Sequence, residues 1–117
     1  MELEEFYKQV GGNFEDVKRR LLNEEFIRKF VLKFKDDETF DNLIDAFDKA
    51  DYKEAFRFIH TLKGTSVNLG FDDLYQASCN LTECLRNLND EELEEAGKLL
   101  QIVKDNYQKI IELIVQL

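Results

Sequence analysis

The sequence predicts an all-α fold, an antiparallel up-down four-helix bundle with additional short N-terminal helices. Three observations point there. The 117 residues contain no proline and only five glycines, so little interrupts a run of helices. Apolar residues recur at alternating steps of four and three in successive segments, the repeat of helices buried along one seam. No strand pattern, internal repeat or low-complexity tract accompanies them.

The chain starts with a short amphipathic helix over Met1 to Val10, with Leu3, Phe6, Tyr7 and Val10 on one side and Gly11-Gly12 as its stop. Asn13 offers an N-cap with Asp16 three residues on, and Phe14, Val17 and Leu21 or Leu22 continue as a second short helix. Helices this short are not stable alone and must dock on the rest. Asn23-Glu24-Glu25 restarts the chain into Phe26, Ile27, Phe30, Val31 and Phe34; for the phenylalanines between Phe26 and Phe58 core packing is the default reading, the alternative being that one or two are exposed for a partner. Asp36 or Asp37 caps a segment whose stripe is Phe40, Leu43, Ile44 and Phe47.

Asp51 with Glu54 forms a capping pair for the next helix, which runs to Leu69. Its buried stripe is Ala55, Ile59, Leu62, Ser66 and Leu69, and Gly70 is the C-terminal signal. A tight turn leads to a helix from about Asp72 to Asn89, with Leu74, Ser78, Leu81, Leu85 and Leu88 inside. The last helix starts at Asn89 or Asp90 and keeps a three-four repeat from Leu93 to Leu117, roughly 27 residues or ~40 Å. A coiled-coil dimer through this helix is the rival arrangement. The intramolecular bundle is preferred because three other seams also need covering.

One domain, 1-117, accounts for the length. No apolar run approaches the ~18 residues that span a bilayer, and Met1-Glu2-Leu3-Glu4-Glu5 lacks the basic start of a signal peptide, so a cytoplasmic protein is expected. The net charge of −9 disfavours nucleic acid or anionic lipid as partners. Cys79 and Cys84 are five apart, on different faces of one helix, and read as packing or flank residues in a reducing compartment.

Chemistry concentrates around the one histidine. On a helical wheel His60 lies roughly 140° from the centre of its buried stripe and faces solvent. Gly64 lies one turn on, behind the same ridge, with Lys53 and Arg57 before it and Lys63 at its flank. A glycine inside a helix costs roughly 1 kcal/mol relative to alanine. Gly64 is not a helix end, because the stripe runs on through Leu69. The surface beside His60 therefore needs an absent side chain, as a tetrahedral group bonded to the imidazole would require. The nearby cations suit a dianion.

These residues, His60-x-Leu62-Lys63-Gly64-x-Ser66-x-x-Leu69-Gly70, resemble the signature of histidine-containing phosphotransfer (HPt) domains, helical phosphocarriers of two-component phosphorelays. The resemblance in helix order and length extends over nearly the whole chain. It implies that His60 accepts a phosphoryl group from a receiver-domain aspartate and passes it to another receiver. Histidine's reference pKa of about 6.5 leaves neutral imidazole available at pH 7. The implied partners are receiver domains of response regulators and hybrid histidine kinases, which supply the Mg²⁺; no cofactor or metal is expected on this chain. There is no Gly-rich phosphate loop or kinase motif, so a carrier is expected rather than an enzyme. It is expected to act as a monomer.

Around His60, Lys63 and Gly64 support the phosphoryl site. If the helices on either side of Gly70 meet along the flank of His60, Lys63 and Val67, then Tyr75, Thr82 and Arg86 line the facing flank. Thr82 would then sit level with the imidazole and within reach of a hydrogen bond, a place that HPt domains often give to glutamine. Partner docking falls to Lys53, Phe56, Arg57 and Val67, with Phe71 as a further apolar contact. A metal or haem site would need clustered ligands, which one outward histidine and two divergent cysteines do not supply. The remaining rival is a non-phosphorylated helical-bundle adaptor that binds signalling proteins. The intact His60 and Gly64 argue against it.

Overall fold

The computed structural model describes every residue from Met1 to Leu117 and contains seven α-helices, one 3-10 turn and no strand. The helices are α1 (Leu3–Gln9), α2 (Phe14–Leu21), α3 (Glu24–Phe34), α4 (Thr39–Asp48), α5 (Tyr52–Asn68), α6 (Asp72–Arg86) and α7 (Leu93–Ile114), with the 3-10 turn at Asp90–Glu92 before α7. Helices α4 to α7 pack as successive neighbours. Phe40 stacks on Tyr107 with centroids 3.9 Å apart, which brings α4 against α7 as well. The expected all-α bundle is what the chain forms, and its buried hydrophobic residues make one continuous cluster.

The caps expected at Asn13 and Asp51 are in place, and Asn23 supplies another. Asn13 accepts from the Asp16 backbone N–H at 3.0 Å, Asn23 from that of Glu25 at 2.7 Å, and Asp51 from that of Glu54 at 3.2 Å. Each satisfies an N–H that the first turn of a helix leaves without an intrahelical partner. Asp37 accepts from the Thr39 N–H at 2.8 Å at the start of α4.

Two boundaries differ from expectation. Helix α6 ends at Arg86 rather than near Asn89, and α7 starts at Leu93 rather than at Asn89 or Asp90. Asn87 and Asn89 flank Leu88 here, and asparagine side chains compete with the helical backbone for hydrogen bonds. The chain leaves the helix, makes one 3-10 turn and re-enters, so α7 has 22 residues. A third difference concerns α3. Its buried stripe is Ile27, Val31 and Phe34 only, while Phe26 and Phe30 are 53% and 43% exposed. They sit one position before Ile27 and Val31, and that step of roughly 100° turns them outward.

The turn between α5 and α6 ties the short N-terminal helices to the bundle. Gly70 takes a left-handed conformation, φ +70°, and sends Phe71 inward. Phe71 is fully buried, with its ring 5.3 Å from Phe34 and 5.9 Å from Tyr7. It is therefore not the docking contact the sequence suggested, because the glycine turn points it into the aromatic cluster. The Tyr7 hydroxyl donates to the Leu69 carbonyl at 2.6 Å, and the Asn13 N–H to the Gly70 carbonyl at 2.9 Å. Burial pushes the Tyr7 phenol well above its ordinary pKa, so it stays a neutral donor.

A side chain at Gly70 would collide with Val17, on top of the cost of a left-handed backbone. Gly70→Ala is therefore expected to destabilise the protein by about 2–4 kcal/mol, read as a lower urea midpoint with little change in slope.

Candidate functional site

Helix α5 holds the candidate residues on its outer face. Ala55, Ile59, Leu62 and Ser66 are buried, as is Leu69 beyond the helix end. Four buried positions over three turns anchor the helix, and they fix the direction in which every other side chain leaves it. His60 is exposed and makes no hydrogen bond within the chain. Its imidazole stacks against Phe56, one turn back, with centroids 6.2 Å apart and planes 16° apart. The imidazole is thus exposed and lies near-parallel to a half-buried phenylalanine.

Gly64 follows one turn later on the same ridge. A Cβ built there meets nothing within 4 Å. The glycine is therefore not needed for packing inside this molecule, and the same holds for Gly97 on α7. Lys63 is half-buried on the flank towards α6. Lys53 and Arg57 are exposed, and Arg57 is already engaged by the Glu54 carboxylate at 2.8 Å. Val67 is 42% exposed and carries the ridge towards the end of α5.

Across the groove on α6, the expected flank is only partly as foreseen. Thr82 is fully buried, and its hydroxyl donates to the Ser78 carbonyl at 2.6 Å. It makes no hydrogen bond to the imidazole, because it turns into the seam with Ser78, Leu81 and Leu85 and threonine readily bonds the carbonyl four residues back. Arg86 does reach the site. Its guanidinium lies 5.3 Å over the Phe56 ring, on the same aromatic group that supports His60. Glu83, not foreseen from the sequence, accepts from Arg86 at 3.1 Å. The hydrogen bond from Arg86 and then the nearby Lys63 ammonium hold the Glu83 carboxyl below the usual carboxylate range. Its position one residue after Thr82 was the available signal, since a step of roughly 100° from a buried residue on this helix points outward.

A second feature escaped the sequence reading. Leu21, Phe30, Phe34 and Leu69 line a groove of about 540 Å³ between α2, α3 and the end of α5, with Arg20 and Lys33 among its lining. Thr65 and Asn68 of α5 form its near wall, so it lies on the other side of the Gly64 ridge from α6. Leu22 and Phe26, outside its lining, are 86% and 53% exposed. Arg19, Arg20, Arg28, Lys29, Lys33 and Lys35 make this the basic quarter of an otherwise acidic chain. The signal was there in the run of cations from Lys18 to Lys35. The cavity itself depends on how three helices meet.

The remaining chemistry-bearing groups do not join the site. Cys79 and Cys84 are free and half-buried, and burial pushes the Cys84 thiol up, away from the reactive thiolate. No three His, Cys, Asp or Glu side chains converge as a ligand set. No helix is long and apolar enough to cross a membrane.

Because its Cβ position is open to solvent, Gly64→Ala is expected to stabilise the folded protein by about 0.5–1 kcal/mol in a urea titration. A loss of stability would mean that the glycine serves internal packing after all.

A model of the Hpt domain family matches residues 34–113, from the last residue of α3 through most of α7. No curated protein and no solved structure matches the chain.

Proposed function

The chain belongs to the Hpt domain family, whose members carry phosphoryl groups on histidine in phosphorelays, and from that premise we propose that His60 is the phosphoacceptor. One observation carries this reading. An exposed imidazole without a hydrogen-bond partner stands on an anchored helix, with an open glycine one turn beyond it.

A neutral imidazole nitrogen attacks the phosphorus of an aspartyl phosphate on a receiver domain. The N–P bond forms as the P–O bond to the aspartate breaks, and the carboxylate leaves with the bonding pair. The reverse steps deliver the group to a second receiver. Such transfers are governed by in-line positioning and charge neutralisation rather than by covalent chemistry of the protein. The helix supplies the position. Lys63 supplies positive charge, and Gly64 leaves room for the phosphoryl oxygens and the incoming receiver. Thr82 supports the site through the packing of α5 on α6. The receiver brings Mg²⁺ and the acidic pocket, so this chain works as a carrier, in the cytoplasm and as a monomer.

Docking centres on the ridge of Lys53, Phe56, Arg57 and Val67 around His60. It continues over the end of α5 into the groove at Phe30 and Lys33, because a partner of ordinary size covers about 800 Å² of this surface. The exposed Leu22, Phe26 and Phe30 give specific support to the second reading as well, a helical adaptor that binds a signalling protein without phosphotransfer.

The two readings separate on phosphate uptake from a phosphorylated receiver, with wild type beside His60→Gln. Label on wild type alone, labile in acid and stable in base, is expected. Gly64→Gln is expected to slow the transfer by about ten- to a hundred-fold while keeping its helical circular dichroism. A folded wild type that binds receivers yet takes no label would favour the adaptor.

A further inference from the structure

Glu83 stands level with His60 on the other side of the α5–α6 groove. The turn at Gly70 and Phe71 and the position of Arg86 over Phe56 define the antiparallel register, which sets Thr82 and Glu83 against Ile59 and His60. Thr82 turns inward; Glu83 is exposed. Its Oε1 accepts from Arg86 Nη2 at 3.1 Å, and Lys63 lies close enough to lower its pKa. A carboxylate on α6 thus engages the guanidinium that lies over Phe56, the ring next to His60.

We propose that Glu83 is a positioning residue that stands in for the phosphoryl group, holding Arg86 while His60 is unmodified and yielding it when His60 is phosphorylated. The proposal rests on His60 being the phosphoacceptor. Its physical basis is an unequal competition for Arg86. An exposed carboxylate–guanidinium pair is weak and readily exchanged. A phosphoryl group offers close to two negative charges and three acceptor oxygens, and it arrives against a guanidinium already parked over Phe56. No covalent bond changes in the exchange: Arg86 trades one acceptor for another. Glu83 remains nearby as a like charge, which makes phosphorylated His60 easier to discharge and keeps transfer reversible.

The test is the equilibrium fraction of labelled His60 after mixing with a phosphorylated receiver, for wild type, Glu83→Gln, Arg86→Gln and the double variant. Glu83→Gln is expected to raise the phosphorylated-to-free ratio about two- to five-fold at low salt, the range of an exposed charge pair. The gain should shrink as salt screens the pair and lose most of its size in the Arg86→Gln background. In wild type the Arg86 side-chain N–H resonance should shift when His60 is phosphorylated, and the shift should be absent in His60→Gln. An unchanged or lower ratio in Glu83→Gln, with His60 still labelled, would overturn this proposal and leave the phosphocarrier reading standing. An undiminished gain in the Arg86→Gln background would overturn the exchange. No His60-dependent label from any receiver or from phosphoramidate would overturn both.

Discussion

The left-handed turn at Gly70 is the constraint on which the rest of this molecule depends. It sets the register of α5 against α6, and that register decides which residues flank His60. The same turn drives Phe71 into contact with Phe6, Tyr7 and Phe34. It also presents the Leu69 and Gly70 carbonyls to Tyr7 and Asn13. One glycine therefore couples the helix pair that forms the site to the short helices that precede it. The Hpt family match begins at residue 34, so α1, α2 and nearly all of α3 lie outside the matched region. They are part of the fold all the same, because α1 supplies two rings to the central aromatic cluster and Arg20 of α2 donates to the Val67 carbonyl at 2.9 Å.

A side chain held in a fixed direction yet open to solvent needs both rigidity and access, two demands that usually conflict. Here they are met by dividing them between faces of one helix. The inner face of α5 is anchored by Ala55, Ile59, Leu62 and Ser66, while the outer face carries His60 on a ridge with open space at Gly64. Phe56 bridges the two, half-buried at its base and offering its ring to both His60 and Arg86. The imidazole lies near-parallel to that ring and makes no hydrogen bond within the chain.

Charge is divided as well. The chain is strongly acidic overall, yet its cations gather on the end of α2 and on α3, beside the groove at Phe30. Long-range attraction falls off over about 10 Å at ordinary ionic strength, so a local basic face is felt by a docking partner even on an acidic protein. The exposed Leu22, Phe26 and Phe30 fall in the same stretch of chain as these cations.

Much of this was legible in the chain itself. Helical periodicity, capping pairs and the absence of proline determined the all-α class and most element boundaries, because they express backbone geometry that acts over a few residues. The outward direction of His60 and the anomaly of Gly64 were legible for the same reason: one wheel and one stripe suffice. What lay beyond the sequence depended on contacts between helices. Thr82 and Glu83 are neighbours in the chain, and only the rotation of α6 about its axis decided that the threonine is buried and the glutamate exposed. Phe26, Phe30 and Phe71 are chemically alike, yet tertiary packing exposed two and buried the third. Hydrophobicity says that a phenylalanine gains from burial, but the space available between helices decides which ones receive it.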